Sequence, residues 1–82
     1  MIEFNEAFAG QVLACCADLG LDPARVCPEG GALALGHPWG ASGAVLAVRL
    51  FAQLAHRPSG YGLAAIAVGG GQGVAMVVQS CG

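Results

Sequence analysis

Lysine is absent, and the whole basic complement is three scattered arginines, Arg25, Arg49 and Arg57. With a formal net charge of −2 the chain has no positive stripe with which to neutralise phosphates, so no nucleic-acid partner is expected. Charge of either sign is scarce, at 10% of 82 residues against about a quarter in an ordinary soluble domain. A long apolar run is missing as well. The best candidate, 41–55, falls short of the roughly 20 residues a membrane span needs and is interrupted by Arg49, so no membrane insertion is expected. Met1-Ile2-Glu3-Phe4 has neither a basic n-region nor an apolar h-region, which leaves the cytoplasm as the expected location. The four cysteines, Cys15, Cys16, Cys27 and Cys81, make no C-x-x-C pair and no histidine stands at zinc-site spacing, so reduced thiols and no metal are expected. The glycine-rich turn Gly69-Gly70-Gly71-Gln72-Gly73 lacks G-x-G-x-x-G spacing and precedes a strand where a helix would be needed, which argues against a dinucleotide cofactor.

What is present is apolar. Hydrophobic residues make up 56% of the chain, and a domain this small has a large surface relative to its volume. Too few polar groups exist to cover that surface, so much of it is expected to lie against more protein. No internal repeat, linker or low-complexity tract divides the chain, which reads as one small domain.

The elements follow from periodicity and punctuation. Residues 1–4 are β-compatible, and Asn5 stands where a helix N-cap belongs, with Glu6 in the first turn. Phe8, Val12, Cys15 or Cys16, and Leu19 recur at helical spacing, predicting a helix over 6–19 closed by Gly20. Asp22-Pro23 predicts a turn and 25–28 a short extended piece. A second helix, 41–57, is capped by Ser42 or Gly40 and is apolar nearly all round, with Arg49, Gln53 and His56 as its polar line. So narrow a stripe predicts packing on most sides. The runs 62–68 and 74–79 predict two strands buried on both faces and joined by a tight hairpin. The order is β-α-β-α-β-β, an α/β fold with a mixed sheet and one central apolar helix.

The segment from Gly30 to Gly43 carries the chemistry. His37 precedes Pro38, which keeps its backbone out of the α region, and the second helix begins a few residues later. The ring is therefore expected near the exposed N–H groups and positive end of that helix, a setting that favours the uncharged imidazole. Taken alone, a histidine beside a helix start is more often a structural hydrogen-bonding group than a catalytic one.

Three stretches together change that balance. Asn5-Glu6-Ala7-Phe8-Ala9, the segment Gly30-Gly31-Ala32 through Gly36-His37-Pro38-Trp39-Gly40-Ala41-Ser42-Gly43, and Gly62-Leu63-Ala64 through Gly69-Gly70-Gly71-Gln72-Gly73-Val74-Ala75-Met76 resemble, in order and spacing, the C-terminal half of thiolases, the acetyl-CoA acetyltransferase family. The resemblance implies two βαβαβαββ halves stacked in five α-β-α-β-α layers and assembled as dimers or tetramers, with helix 41–57 in the central layer. It implies that 1–82 is an incomplete C-terminal domain, beginning at the second strand of its half. It also implies acyl exchange between coenzyme A and a nucleophilic cysteine, followed by Claisen condensation or thiolysis, with the coenzyme A thioester as substrate and no bound cofactor.

By the same resemblance His37 matches the histidine that activates the nucleophile and donates to the thioester oxygen. Asn5 matches the asparagine that holds a water there, although a plain helix cap remains the other reading of that residue. Gly69 matches the glycine whose N–H stabilises a second oxyanion. Phe8 and Trp39 are expected to line the substrate, Trp39 standing where a smaller aliphatic is usual. Two departures follow. The nucleophilic cysteine belongs to the family's other half, and none of the four cysteines here sits in its motif. The position of the second catalytic cysteine is Ala67, which has no proton to move. Three readings remain: a segment supplying His37, Asn5 and Gly69 to a site that another polypeptide completes, inactive by itself; a non-catalytic truncated paralogue acting as an association module; or a fragment of a longer, Ala67-bearing thiolase-like protein. On each, acyl-CoA is a ligand only of the completed site, and oligomers or poor solubility are expected for the chain alone.

Overall fold

Ile2–Phe4 forms β1, a buried strand of three residues at one edge of the sheet. The computed structural model describes residues 1–81. Helix α1 spans Ala9–Leu19, a one-turn helix follows at Pro23–Arg25, α2 is the single turn Ala32–Leu35, and α3 spans Trp39–Leu54. Strands β2 (Tyr61–Gly69) and β3 (Gln72–Gln79) close the chain. The sheet runs β1-β2-β3, with β1 parallel to β2 and β2 antiparallel to β3, so the expected mixed sheet is present.

The alternation of β1 and β2 divides the core in two. Ile2 and Phe4 face α1 and join Val12, Cys16, Val26 and Cys27, with Leu63 and Ala65 against them. On the opposite face Leu46, Leu50 and Leu54 of α3 meet Ala64, with Ile66 and Val78 alongside. Glu3 points to this second face and is fully buried, a charged residue inside what the sequence pattern reads as an apolar strand. Helix α3 lies close on the sheet at Gly62, where a Cβ would come within 2.7 Å of Leu50 Cδ1.

Several expectations are corrected in detail. Asn5 is not a helix cap: its N–H donates to Ala65 O at 2.9 Å, continuing the β1–β2 ladder, so the backbone stays extended and α1 starts only after Phe8. The far end of α1 does close on Gly20, in the left-handed region at φ 66°, with Leu21 N–H reaching back to Cys16 O. Asp22 caps the following turn by accepting from Ala24 N–H. Neither Ser42 nor Gly40 caps α3. Pro38 precedes the helix and Ser42 lies inside it, buried. The piece at 25–28 is reduced to a lone parallel bridge between Ile2 and Val26. The hairpin is present, but its strands are not buried on both faces, since Val68, Val74, Met76 and Val77 are all exposed. Likewise α3 is packed along one side only, leaving Val45, Val48 and Phe51 open. In both cases no other element among the described residues reaches those faces.

Candidate active site

The segment leading to His37 is held in place by groups from elsewhere in the chain. It begins at Cys27, a non-glycine residue at φ 46°, a conformation costing about 1–2 kcal/mol, and continues through Gly30 at φ 90°. Glu6 Oε1 accepts from Leu33 N–H at 3.3 Å and fixes the single turn of α2. Gly31 passes so close to this carboxylate that a Cβ would collide with it. Gly36, at φ 100°, then turns the chain into His37-Pro38 and the start of α3.

The imidazole is held from both sides. Asn5 Nδ2 lies 3.3 Å from His37 Nε2, and Ser42 Oγ lies 2.5 Å from Nδ1. An amide N–H donates, so in the neutral ring Nε2 carries the lone pair and Nδ1–H donates to the serine. The atom facing Asn5 is thus the one able to take up a proton. Asn5 is buried and pinned through its backbone to β2, which makes its amide a fixed reference for the ring.

His37, Trp39, Ile66, Ala67, Val68 and Gly69 line a cavity of about 340 Å³. Trp39 leans on the imidazole with ring centroids 6.1 Å apart while remaining 85% exposed, so it forms an outer wall. The far wall is the end of β2, where the pairing with β3 slips between Ala67 and Gly69, a bulge of the kind that re-aims backbone beside a site. Gly70 and Gly71 follow with positive φ, as a primed two-residue hairpin turn requires. Of the sequence-predicted residues, the fold brings together His37, Asn5, Trp39, Ala67 and Gly69. Phe8 lies outside this cavity, 74% exposed at the start of α1.

No cysteine lines the cavity. Cys27 is buried, donates its Sγ–H to Phe4 O at 3.1 Å, and has its pKa pushed up to about 11, first by burial and then by the charge of Glu3. It is a core thiol and no nucleophile at neutral pH. Among the described residues no three His, Cys, Asp or Glu side chains gather as a metal site would require. Among the described residues no helix is long and apolar enough to cross a membrane.

Sequence reasoning missed Ser42 as a partner of His37. Its signal was a serine one helical turn past a His-Pro step, which reads equally well as a cap. It also missed Glu3, whose partners lie more than forty residues away. Arg49 Nε donates to Glu3 Oε1 at 3.0 Å and Gln53 Nε2 to Oε2 at 2.9 Å. Two members of the polar line, Arg49 and Gln53, therefore turn inward toward a buried carboxylate, while His56 lies exposed beyond the end of α3.

With this geometry in view, the chain can be set beside known proteins. The profile of the family described as "Thiolase, C-terminal domain" matches residues 1–80. The chain is 53% identical over 81 residues to a beta-ketoadipyl-CoA thiolase of Acinetobacter baylyi, covering 96% of this chain and 20% of that protein. It is 52% identical over 79 residues to an acetyl-CoA acetyltransferase of Escherichia coli, with the same coverage on each side. Among solved structures, the acetyl-CoA acetyltransferase of Bacillus anthracis superposes with a TM-score of 0.89 at 43% identity, over 96% of this chain and 20% of that one. A thiolase from Ascaris suum in complex with coenzyme A gives 0.88 at 46% identity, over 98% of this chain and 20% of that one. The chain thus spans about a fifth of the length of the relatives it matches.

Proposed function

Because this chain belongs to the thiolase C-terminal domain family, we propose that it supplies the proton-transfer side of an acyl-CoA acyltransferase site whose nucleophilic cysteine lies outside these 82 residues. His37 Nε2 takes the thiol proton, the thiolate attacks the thioester carbonyl, and the same nitrogen returns the proton to the coenzyme A sulfur as the C–S bond breaks. The oxyanion formed on the way draws on His37 and on the amide of Asn5 through a water, and that of the second half-reaction on the Gly69 N–H. Phe8 and Trp39 serve the acyl-CoA, Trp39 by narrowing the entrance beside the imidazole. The observation that carries this reading is the pairing of His37 Nε2 with Asn5 Nδ2 at 3.3 Å, beside a cavity that Ala67 and Gly69 also line.

Carbon–carbon bond making or breaking needs a second group to move a proton at the α-carbon. Ala67 offers none, so the completed site transfers acyl groups far better than it performs a Claisen step. The same alanine supports a second reading, a non-catalytic copy kept for association. A cytoplasmic setting and assembly into homo- or hetero-oligomers go with either reading.

Reconstitution tests them. The chain is combined with a thiolase N-terminal half bearing the nucleophilic cysteine, supplied with isotope-tagged acetyl-CoA, and analysed by peptide mass spectrometry. Tagged acetyl on that cysteine, lost with His37→Ala, is the expected result. A stable complex with no acyl-cysteine sinks the catalytic reading and leaves the association module.

A further inference from the structure

Glu3 is fully buried, and both its oxygens are taken, one by Arg49 and one by Gln53. Such an ion pair is weak evidence for stability, because desolvating two charges consumes most of what their attraction returns and an apolar pair could hold α3 on β1 as well. An apolar pair could not do what the rest of the guanidinium does. Arg49 Nη2 donates to the carbonyl of Gly30, in the loop that leads to His37.

Each group in this cluster belongs to a segment that delivers one member of the site. Glu3, on β1, stands two residues before Asn5, which continues the same ladder, and so on the same face. Gly30 opens the loop whose far end is His37. Arg49 stands seven residues after Ser42, two turns along the same side of α3. One side chain thus joins the three stretches of backbone that place the amide, the ring and the hydroxyl.

We propose that Arg49 is a positioning residue, whose simultaneous grip on Glu3 and on the Gly30 carbonyl sets His37 between Asn5 and Ser42 and fixes which ring nitrogen carries the proton. The proposal rests on the reading of His37 as the proton-transfer residue. Its geometric content stands apart from any acyl transfer. The planar fork of arginine is essential to it, because a lysine ammonium is a single point and cannot reach both acceptors as Nε and Nη2 do.

The test reads the ring directly. The full 82-residue chain is labelled with ¹⁵N-histidine in a His56→Asn background, which leaves His37 as the one labelled ring. Magic-angle-spinning NMR then gives the Nδ1 and Nε2 shifts whether or not the chain associates, and circular dichroism follows thermal unfolding. Wild type is expected to show a single Nδ1–H tautomer. Arg49→Lys keeps a charge beside Glu3 but releases Gly30, so it should unfold near the wild-type temperature while a second set of ring shifts, that of the Nε2–H tautomer, appears. Arg49→Met should lose both the tautomer and thermal stability. Gln53→Met, which removes the other donor to Glu3 but leaves the grip on Gly30, should keep the wild-type ring signals.

Unchanged His37 shifts in Arg49→Lys overturn the proposal. So does an equal disturbance in Gln53→Met, which would reduce Arg49 to one core contact among several. Should Arg49→Met fail to fold, the comparison of Arg49→Lys with Gln53→Met decides alone. No acyl-CoA or partner enters the measurement, so its failure is distinct from failure of the proposed function.

Discussion

Cys27 and Ala67 mark the two chemical limits of the site, and each yields a measurement. Burial and the neighbouring Glu3 raise the Cys27 thiol from an ordinary 9.0 to about 11 in the folded chain. The unfolded chain loses this proton first, so the contribution is fully present below pH 9 and is lost as pH rises toward 11. Chemical denaturation between these values should show stability falling, with a shallower fall in Cys27→Ser. Thiol labelling should find Cys81 fast, half-buried Cys15 slower, and Cys16 and Cys27 protected until unfolding. In a reconstituted enzyme, Ala67→Cys should raise acetoacetyl-CoA thiolysis by about 10²–10⁴-fold, the usual scale of a general acid–base group, with little effect on acylation. At this scale the linear motifs were informative. They singled out His37, Asn5, Gly69 and Ala67, which the fold brings to one place. Ser42 and the Glu3–Arg49–Gln53 cluster stayed hidden, because a buried carboxylate paired across forty-six and fifty residues leaves no local pattern.

Among the elements, α3 against β2 is the contact on which the site's frame rests. Gly62→Ala would press a methyl into Leu50 and Leu54, and about 1–3 kcal/mol of destabilisation is expected in denaturant titration. Element types and the hairpin were legible because apolar spacing and glycine breaks are local signals. Boundaries were less so. Helix α1 begins later than its periodicity suggests because the Asn5 backbone is claimed by the sheet, and α3 begins earlier because the Pro38 carbonyl already accepts from Ala41 N–H, opening the helix with no side-chain cap. The extended piece near Val26 kept one bridge, since Cys27, at φ 46°, turns the chain out of the extended conformation directly after it, and the next β1 carbonyl on that side, of Phe4, is met by the Cys27 thiol instead of a backbone N–H.

For the molecule as a whole, the open apolar faces of α3 and of the β2–β3 hairpin dominate behaviour. Phe51, Val48, Val74 and Val77 are each more than half exposed, on a chain with little charge to keep copies apart. Sedimentation of the isolated chain should show oligomers, and co-expression with a thiolase N-terminal half should replace them with a defined complex. A monodisperse, cooperatively unfolding monomer would contradict this. The scarcity of charge points to apolar residues left on the surface, but composition carries no direction, so which faces stay open emerged only with the fold. The parallel pairing of Ile2 with Leu63 carries one more consequence. Strand β1 has no sheet partner until β2, on the far side of α1 and α3 in the chain, is in place, and a closure over so long a loop is slow to find. Asn5 continues that strand, so its amide is among the last groups of the site to reach its working place.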